Sequence, residues 1–353
     1  MTHVFISPHP DDAALSCGGL IASLRELGQN VTIISVYSGG PRDGDDLSDY
    51  QRTALGFGSK AVWPNTEAFR RGNIPADVDV DPADAPWAAD PGRIAVTQER
   101  AATQARQFWQ RAAWTRSANI TNRETPDRPL ADSIGNQGSD EVVDLAAADA
   151  MAIRRVEDER YAYFIECSLI SLQLPDAVFR GYVGDDELLG PVRADDPAPY
   201  DALRREILRL EPQALYLPLA VGHHVDHQQC REVGLALLEE GRRWVMPGPD
   251  LSGRLSFYED FPYAWWGDFR RPADLPDAPL DLPPGLDLTA QYADIGDQME
   301  RKAAGLRLYA SQVPNLFDSE QAMLDGLAQY HARVATEGGV PGYAERYWTA
   351  ARP

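Results

Sequence analysis

The chain has 353 residues, 44% of them hydrophobic and 25% charged, enough for a full buried core in one large domain or two. A net charge of −21 argues against nucleic acid or an anionic membrane surface as partner, since both need a cationic face. Three widely separated cysteines (Cys17, Cys167, Cys230) make no disulfide framework, and no apolar run approaches the ~18 residues of a membrane span. The N-terminus lacks a basic stretch followed by an apolar one, so the expectation is a soluble cytoplasmic protein. The sequence carries no signal of oligomeric state.

Val4 to Ser7 reads as a short buried strand, ended by Pro8 and Pro10, which fix φ and lack an N–H. From Ala13 the apolar residues recur at helical spacing (Leu20, Leu24, Leu27), and Gly28 is a fitting stop just past the end. Val31 to Val36 supplies a second strand. His9, Asp11 and Asp12 therefore sit on the strand-to-helix turn of a βαβ unit, where open α/β sheets place ligands.

Residues from about 41 to 149 differ in character and read as an insertion after the second strand. Their first part is dense in Gly, Pro and Asp. Val96 to Trp114 reads as a helix, and Thr115 to Ser139 is polar. A stretch this long is either a lid or substrate-shaping region or a surface elaboration without a catalytic part. Asp140 to Leu172 reads as one long helix, with Leu174-Pro175-Asp176 at its exit. Ala202 to Leu210 is another helix and Ala214 to Leu217 a short buried strand. Pro218 to His227 then leads into a helix from about Gln228 to Glu240, and Ser256 to Tyr258 is a further strand. From 268 to 353 the expectation is a Pro-rich linker (270–288), a helix over 289–312, and a helical remainder with an irregular tail. Alternating strands and helices make the whole chain one α/β domain with a mainly parallel sheet flanked by helices.

Four of the six histidines fall in two clusters, His9 with Asp11 and Asp12, and His223, His224 and His227 around Asp226. Each cluster follows an apolar strand and precedes a helix, so a parallel sheet brings both to one edge. His9/Asp12 and His224/His227 are i,i+3 pairs, a spacing that converges two side chains where the backbone is helical. Two imidazoles and a carboxylate with positions left open is the usual makeup of a catalytic zinc site. Each cluster alone has a plainer explanation: Asp11 and Asp12 would simply cap the helix that follows. His3 and His331 read as hydrogen-bonded packing residues, His223 as a second donor or an exposed side chain, and Cys17 and Cys230 as small core fillers.

Pro-His-Pro-Asp-Asp after a strand, with His-Val-Asp-His far downstream, resembles the PIG-L/LmbE-type de-N-acetylases. Further similarities are Gly18-Gly19, Arg155 and Glu157 before Leu174-Pro175-Asp176, and Lys302-Ala303-Ala304 with Tyr309-Ala310-Ser311-Gln312. The resemblance covers roughly residues 1–40 and 150–312. It implies a Rossmann-like fold and a zinc-dependent hydrolase that removes acetyl from an acetamido sugar conjugate or a related small metabolite. On that resemblance His9, Asp12 and His227 are the zinc ligands, and Asp11 is the base that takes a proton from zinc-bound water. His224 stabilises the oxyanion or protonates the leaving amine, with Asp226 holding its imidazole. Arg155 and Asp176 grip the substrate or form a structural ion pair. Where the family motif usually continues with Glu, this chain has Ala13. That departure keeps two alternatives in view: a deacylase for a specialised metabolite with another acyl group or scaffold, and a metal- or sugar-binding member without turnover.

Overall fold

The computed structural model describes residues 1–40, 47–55, 147–243, 253–266 and 288–350. The expected helix over 96–114, the polar stretch after it and most of the Pro-rich linker lie outside them.

Among the described residues, seven strands form one sheet. In chain order they are β1 (Thr2–Ser7), β2 (Asn30–Ser35), β3 (Ser168–Ser171), β4 (Ala214–Pro218), β5 (Leu255–Tyr258), β6 (Leu288–Asp294) and β7 (Ala344–Ala350). Their spatial order is β3-β2-β1-β4-β5-β7-β6. The first five run parallel, and β7 and β6 close the sheet antiparallel. The expected mainly parallel sheet is therefore present. The chain leaves β1 toward β2 on one side and returns as β4 on the other, so the gap between β1 and β4 is the switch point where such sheets bind ligands.

β1 is a continuous apolar run because both faces are covered. Phe5 packs with Leu15, Ile21 and Ile33 on one side, while Val4 and Ile6 pack with Ile34, Leu215 and Leu217 on the other. Phe5 is fully buried, and truncating such a side chain to Ala costs about 3–5 kcal/mol. Just past the helix α1 (Asp12–Glu26), Gly28 with its φ of +71° releases the chain into β2. Gly19 lies on the buried face of α1. A Cβ there would stand 2.7 Å from Ile295, so its lack of a side chain lets the β6–β7 end of the sheet close on the helix.

The remaining α-helices among the described residues are α2 (Asp49–Ala54), α3 (Ala147–Ile165), α4 (Asp185–Leu188), α5 (Tyr200–Leu210), α6 (Val225–Arg243), α7 (Met299–Leu306), α8 (Val313–Leu316) and α9 (Glu320–Gly338). Three expectations need correction. The helix expected through Leu172 stops at Ile165, where Glu166 adopts φ +61°, and the apolar residues beyond form edge strand β3. The helix expected over 289–312 begins as strand β6, and the expected irregular tail is β7. Those two strands pair over seven residues each.

Candidate active site

Both histidine clusters emerge at the carboxyl ends of neighbouring strands. His9, Asp11 and Asp12 follow β1, and His224, Asp226 and His227 follow β4. Asp12 is the first residue of α1. α6 starts at Val225, earlier than expected, which puts Asp226 and His227 in its first turn. The loop after β3 adds Asp176 and the loop after β5 adds Asp260 and Tyr263. His9, Asp11, Asp12, Arg154, Asp176, His224 and Tyr263 line one cleft, with Leu15, Ala54, Leu188, Gln312 and Leu316 completing its walls.

Asp12 Oδ2 lies 3.1 Å from His9 Nδ1 and 3.2 Å from His227 Nε2. It also accepts the His9 backbone N–H at 2.8 Å. The other nitrogen of each ring meets a buried carboxylate, His9 Nε2 at 2.8 Å from Asp226 Oδ2 and His227 Nδ1 at 2.5 Å from Asp260 Oδ1. Around a tetrahedral zinc with bonds of 2.0–2.1 Å, neighbouring ligand atoms stand about 3.3–3.4 Å apart. The Asp12–His9 and Asp12–His227 separations are close to that edge, and two nitrogens with one oxygen is a donor set that suits zinc and its neighbours. On those two edges and on donor chemistry the residues suit a divalent metal. Two triads have donor atoms that all lie within 4.8 Å of one another, His9 with His224 and His227, and His9 with Asp176 and Asp226. The second is already committed elsewhere: Asp226 takes the Arg180 guanidinium at 2.6 Å, the Ala177 N–H at 3.1 Å and His9. In the Asp12-centred set one carboxylate oxygen touches a nitrogen of both His9 and His227.

The electrostatics favour positive charge at this point. Burial opposes charge on His9, but Asp12, Asp176 and Asp226 outweigh it and raise its pKa to about 9. His227 is raised in the same way by Asp12 and Asp260, and Asp12 is held well below the usual carboxylate range because His227 and His9 overcome its burial. Asp11 goes the other way. Burial and the Asp12 charge push its carboxyl well up, with Arg154 and His9 only partly offsetting them. His224 is held well below the ordinary imidazole value, by burial first and then by His9 and His227. Its Nδ1 accepts the Asp226 backbone N–H at 3.3 Å, so the neutral ring carries its proton on Nε2.

The structure amends several expectations. Asp11 occupies the helix N-cap position but its side chain makes no capping bond, and its φ of +112° is a costly conformation for a residue with a Cβ. The capping explanation thus fails for Asp11. The Asp226 carboxylate faces His9, and only its backbone N–H meets His224. Arg155 is not in the cleft, because its guanidinium donates to the Ser38 carbonyl at 2.8 Å. The neighbouring Arg154 lines the cleft instead and donates to Asp176 at 3.3 Å. Asp176 is there as expected, and its carboxylate also caps the turn at Val178. His223 lies outside the cleft walls, His3 stacks on Tyr216, and buried His331 bonds the Ala344 carbonyl. Nothing in the sequence marks Arg154, Asp260 and Tyr263 as residues of the site. Arg154 is one helical position from Arg155, and nothing local distinguishes which of two adjacent arginines turns inward.

Glu157 meets the segment Tyr309 to Gln312, whose last residue lines the cleft. Glu157 accepts the Ser311 N–H at 2.8 Å and the Ser311 hydroxyl at 2.6 Å, and Tyr309 donates to Asp158 at 2.8 Å. No helix among the described residues is long and apolar enough to cross a membrane.

Comparison with known proteins places this arrangement. The family model for GlcNAc-PI de-N-acetylase (PIG-L) matches residues 4–72. The 2'-N-acetylparomamine deacetylase of Streptomyces fradiae is 31% identical over 225 residues, spanning 58% of this chain and 73% of that protein. The fold is shared with the zinc-inhibited form of teicoplanin deacetylase Orf2 (TM-score 0.55, 19% identity, 100% of this chain and 99% of that one). It is shared too with the A40926 pseudoaglycone deacetylase Dbv21 (TM-score 0.52, 19% identity, 99% of this chain and 97% of that one). With its Pro-His-Pro-Asp-Asp turn at the β1 end of the switch point and its His-Val-Asp-His turn at the β4 end, the chain belongs to the PIG-L family of de-N-acetylases and is an N-deacetylase.

Proposed function

We propose that the chain hydrolyses the acetamide of an amino-sugar conjugate or a related small metabolite, using a divalent metal held by His9, Asp12 and His227. The observation that carries this reading is the single Asp12 oxygen bracketed by two imidazole nitrogens, with Asp11 and His224 in the same cleft. Zinc, when bound, would supply Lewis-acid polarisation of a water and of the acetamide carbonyl.

The side chains divide the remaining work. Asp11 accepts a proton from the attacking water as the new C–O bond forms at the acetamide carbon. The carbonyl π pair moves onto oxygen, where the His224 Nε2–H donates to it. The C–N bond then breaks with its electron pair passing to nitrogen. That nitrogen collects the proton held by Asp11, giving acetate and a free amine. Arg154 and Asp176 offer a donor and an acceptor side by side for substrate hydroxyls. Ala54, at the start of the insertion, lines the cleft, which supports a substrate-shaping role for the 41–149 segment. The Streptomyces fradiae relative is by its name a deacetylase of 2'-N-acetylparomamine, and that similarity supports an N-acetylated amino-sugar substrate.

The test is an amine-release screen of zinc-loaded protein against N-acetylated amino sugars and aminoglycosides. Acetate and primary amine should appear in equal amounts from at least one. Release of neither, from protein that holds metal, contradicts the reading.

A further inference from the structure

Asp260 is one of the least accessible carboxylates among the described residues, 1% exposed, and no step above uses it. Its backbone is fixed on both sides: its carbonyl accepts the Ala264 N–H at 2.9 Å, and the next residue, Phe261, donates its N–H to Ser16 Oγ on α1 at 3.1 Å. Both carboxylate oxygens are occupied. Oδ1 meets His227 Nδ1 at 2.5 Å and Oδ2 accepts the Val221 N–H at 3.0 Å. Val221 belongs to the β4 loop that leads to His224, and His227 to the helix that follows it.

We propose that Asp260 is the positioning residue that makes His227 a metal ligand. The proposal rests on the reading of His9, Asp12 and His227 as a metal site. Asp260 Oδ1 is an acceptor facing Nδ1, so whenever the His227 ring carries a single proton that proton sits on Nδ1. That leaves the lone pair on Nε2, the nitrogen that faces Asp12 Oδ2 at 3.2 Å. The Val221 bond keeps the carboxylate from rotating, which fixes the ring plane as well as the tautomer. A carboxylate behind a ligating histidine is a recurrent device that raises ligand basicity and fixes orientation.

Asn at this position separates positioning from packing, because it keeps the shape but has one acceptor and one donor where Asp has two acceptors. If the amide oxygen takes the Val221 N–H, the NH₂ faces His227 Nδ1 and drives the ring proton to Nε2, blocking coordination. If it takes His227, the buried Val221 N–H opposes another donor.

The experiment is zinc affinity by competition with a chromophoric chelator for wild type, Asp260→Asn and His227→Ala, beside thermal unfolding of each zinc-free protein. Asp260→Asn should bind zinc about 10–100-fold more weakly than wild type while still unfolding cooperatively. His227→Ala should be weaker still. Wild-type zinc affinity in Asp260→Asn, whatever its stability, overturns the proposal as a purely structural role for Asp260. A wild type that binds no zinc overturns the metal reading and this proposal with it. Should Asp260→Asn fail to fold, nitrogen-15 histidine NMR of zinc-loaded wild type decides. Zinc on Nε2 of His227 with a proton on Nδ1 is expected, and zinc on Nδ1 overturns it.

Discussion

Asp226 Oδ2 stands 2.8 Å from His9 Nε2, although the two residues are 217 positions apart, and this contact ties the two histidine clusters into one unit. Burial disfavours charge on Asp226, but its hydrogen bond to His9, with the charges of His9 and Arg180, outweighs that and holds its carboxyl below the usual range. Asp226→Asn should therefore weaken zinc binding by about 10–100-fold, since the carboxylate orients a ligand. The family resemblance implies service to His224 instead, which would lower kcat and leave metal affinity intact. Chelator competition and steady-state kinetics on the same variant tell the two apart.

Asp11→Asn preserves shape and removes the proton acceptor. Turnover should fall by about 10²–10⁴ with zinc content unchanged, the range for loss of a general base. Elemental analysis beside an amine-release assay checks both halves. Undiminished turnover would remove Asp11 from the mechanism.

The adjacent arginines make a paired control. Arg154→Ala deletes a buried charged donor from the cleft wall and should raise KM by about 10–100-fold, the equivalent of a charge-assisted hydrogen bond of about 1.5–3 kcal/mol. Arg155→Ala, whose guanidinium serves the Ser38 carbonyl, should leave KM within about twofold. Equal effects on KM would refute the assignment of Arg154 as the inward arginine.

The contrast between Arg154 and Arg155 shows where sequence reasoning stops. Strand-then-cluster order made the meeting of His9, Asp11 and Asp12 with His224 and His227 legible, because a parallel sheet brings successive strand ends to one edge. Which adjacent arginine faces the cleft, and which histidine Asp226 serves, depend on helix rotation and side-chain torsions set by tertiary packing. Asp260 lies 33 residues past His227, in a loop with no local pattern. The same holds for the fold. The apolar run after Glu166 and the stretches at β6 and β7 are strands through pairing with distant partners, and periodicity over so few residues does not separate them from a helix.

Glu157 gives a prediction about stability. Burial raises its carboxyl from 4.5 to about 7, with the Ser311 bonds only partly offsetting it. Because the folded value lies above the unfolded one, the folded state binds the proton more tightly. Stability is undiminished below about pH 4.5 and falls as pH rises toward 7, by about 3 kcal/mol at 1.36 kcal/mol per pH unit. Glu157→Gln cannot ionise, and its amide can both accept from the Ser311 N–H and donate to the Ser311 hydroxyl. It should unfold at higher denaturant than wild type at pH 8 and lose that advantage by pH 4. An unchanged difference across that range would contradict a proton-linked origin.

The most direct test of the central claim is elemental analysis of wild type, His227→Ala and Asp12→Ala, purified side by side without added metal and again after dialysis against zinc. About one zinc per wild-type chain, lost in both variants, is the predicted result for three ligands around one tetrahedral ion. A wild type that takes up no metal even after dialysis, or variants that keep it, would contradict a metal centre built from His9, Asp12 and His227.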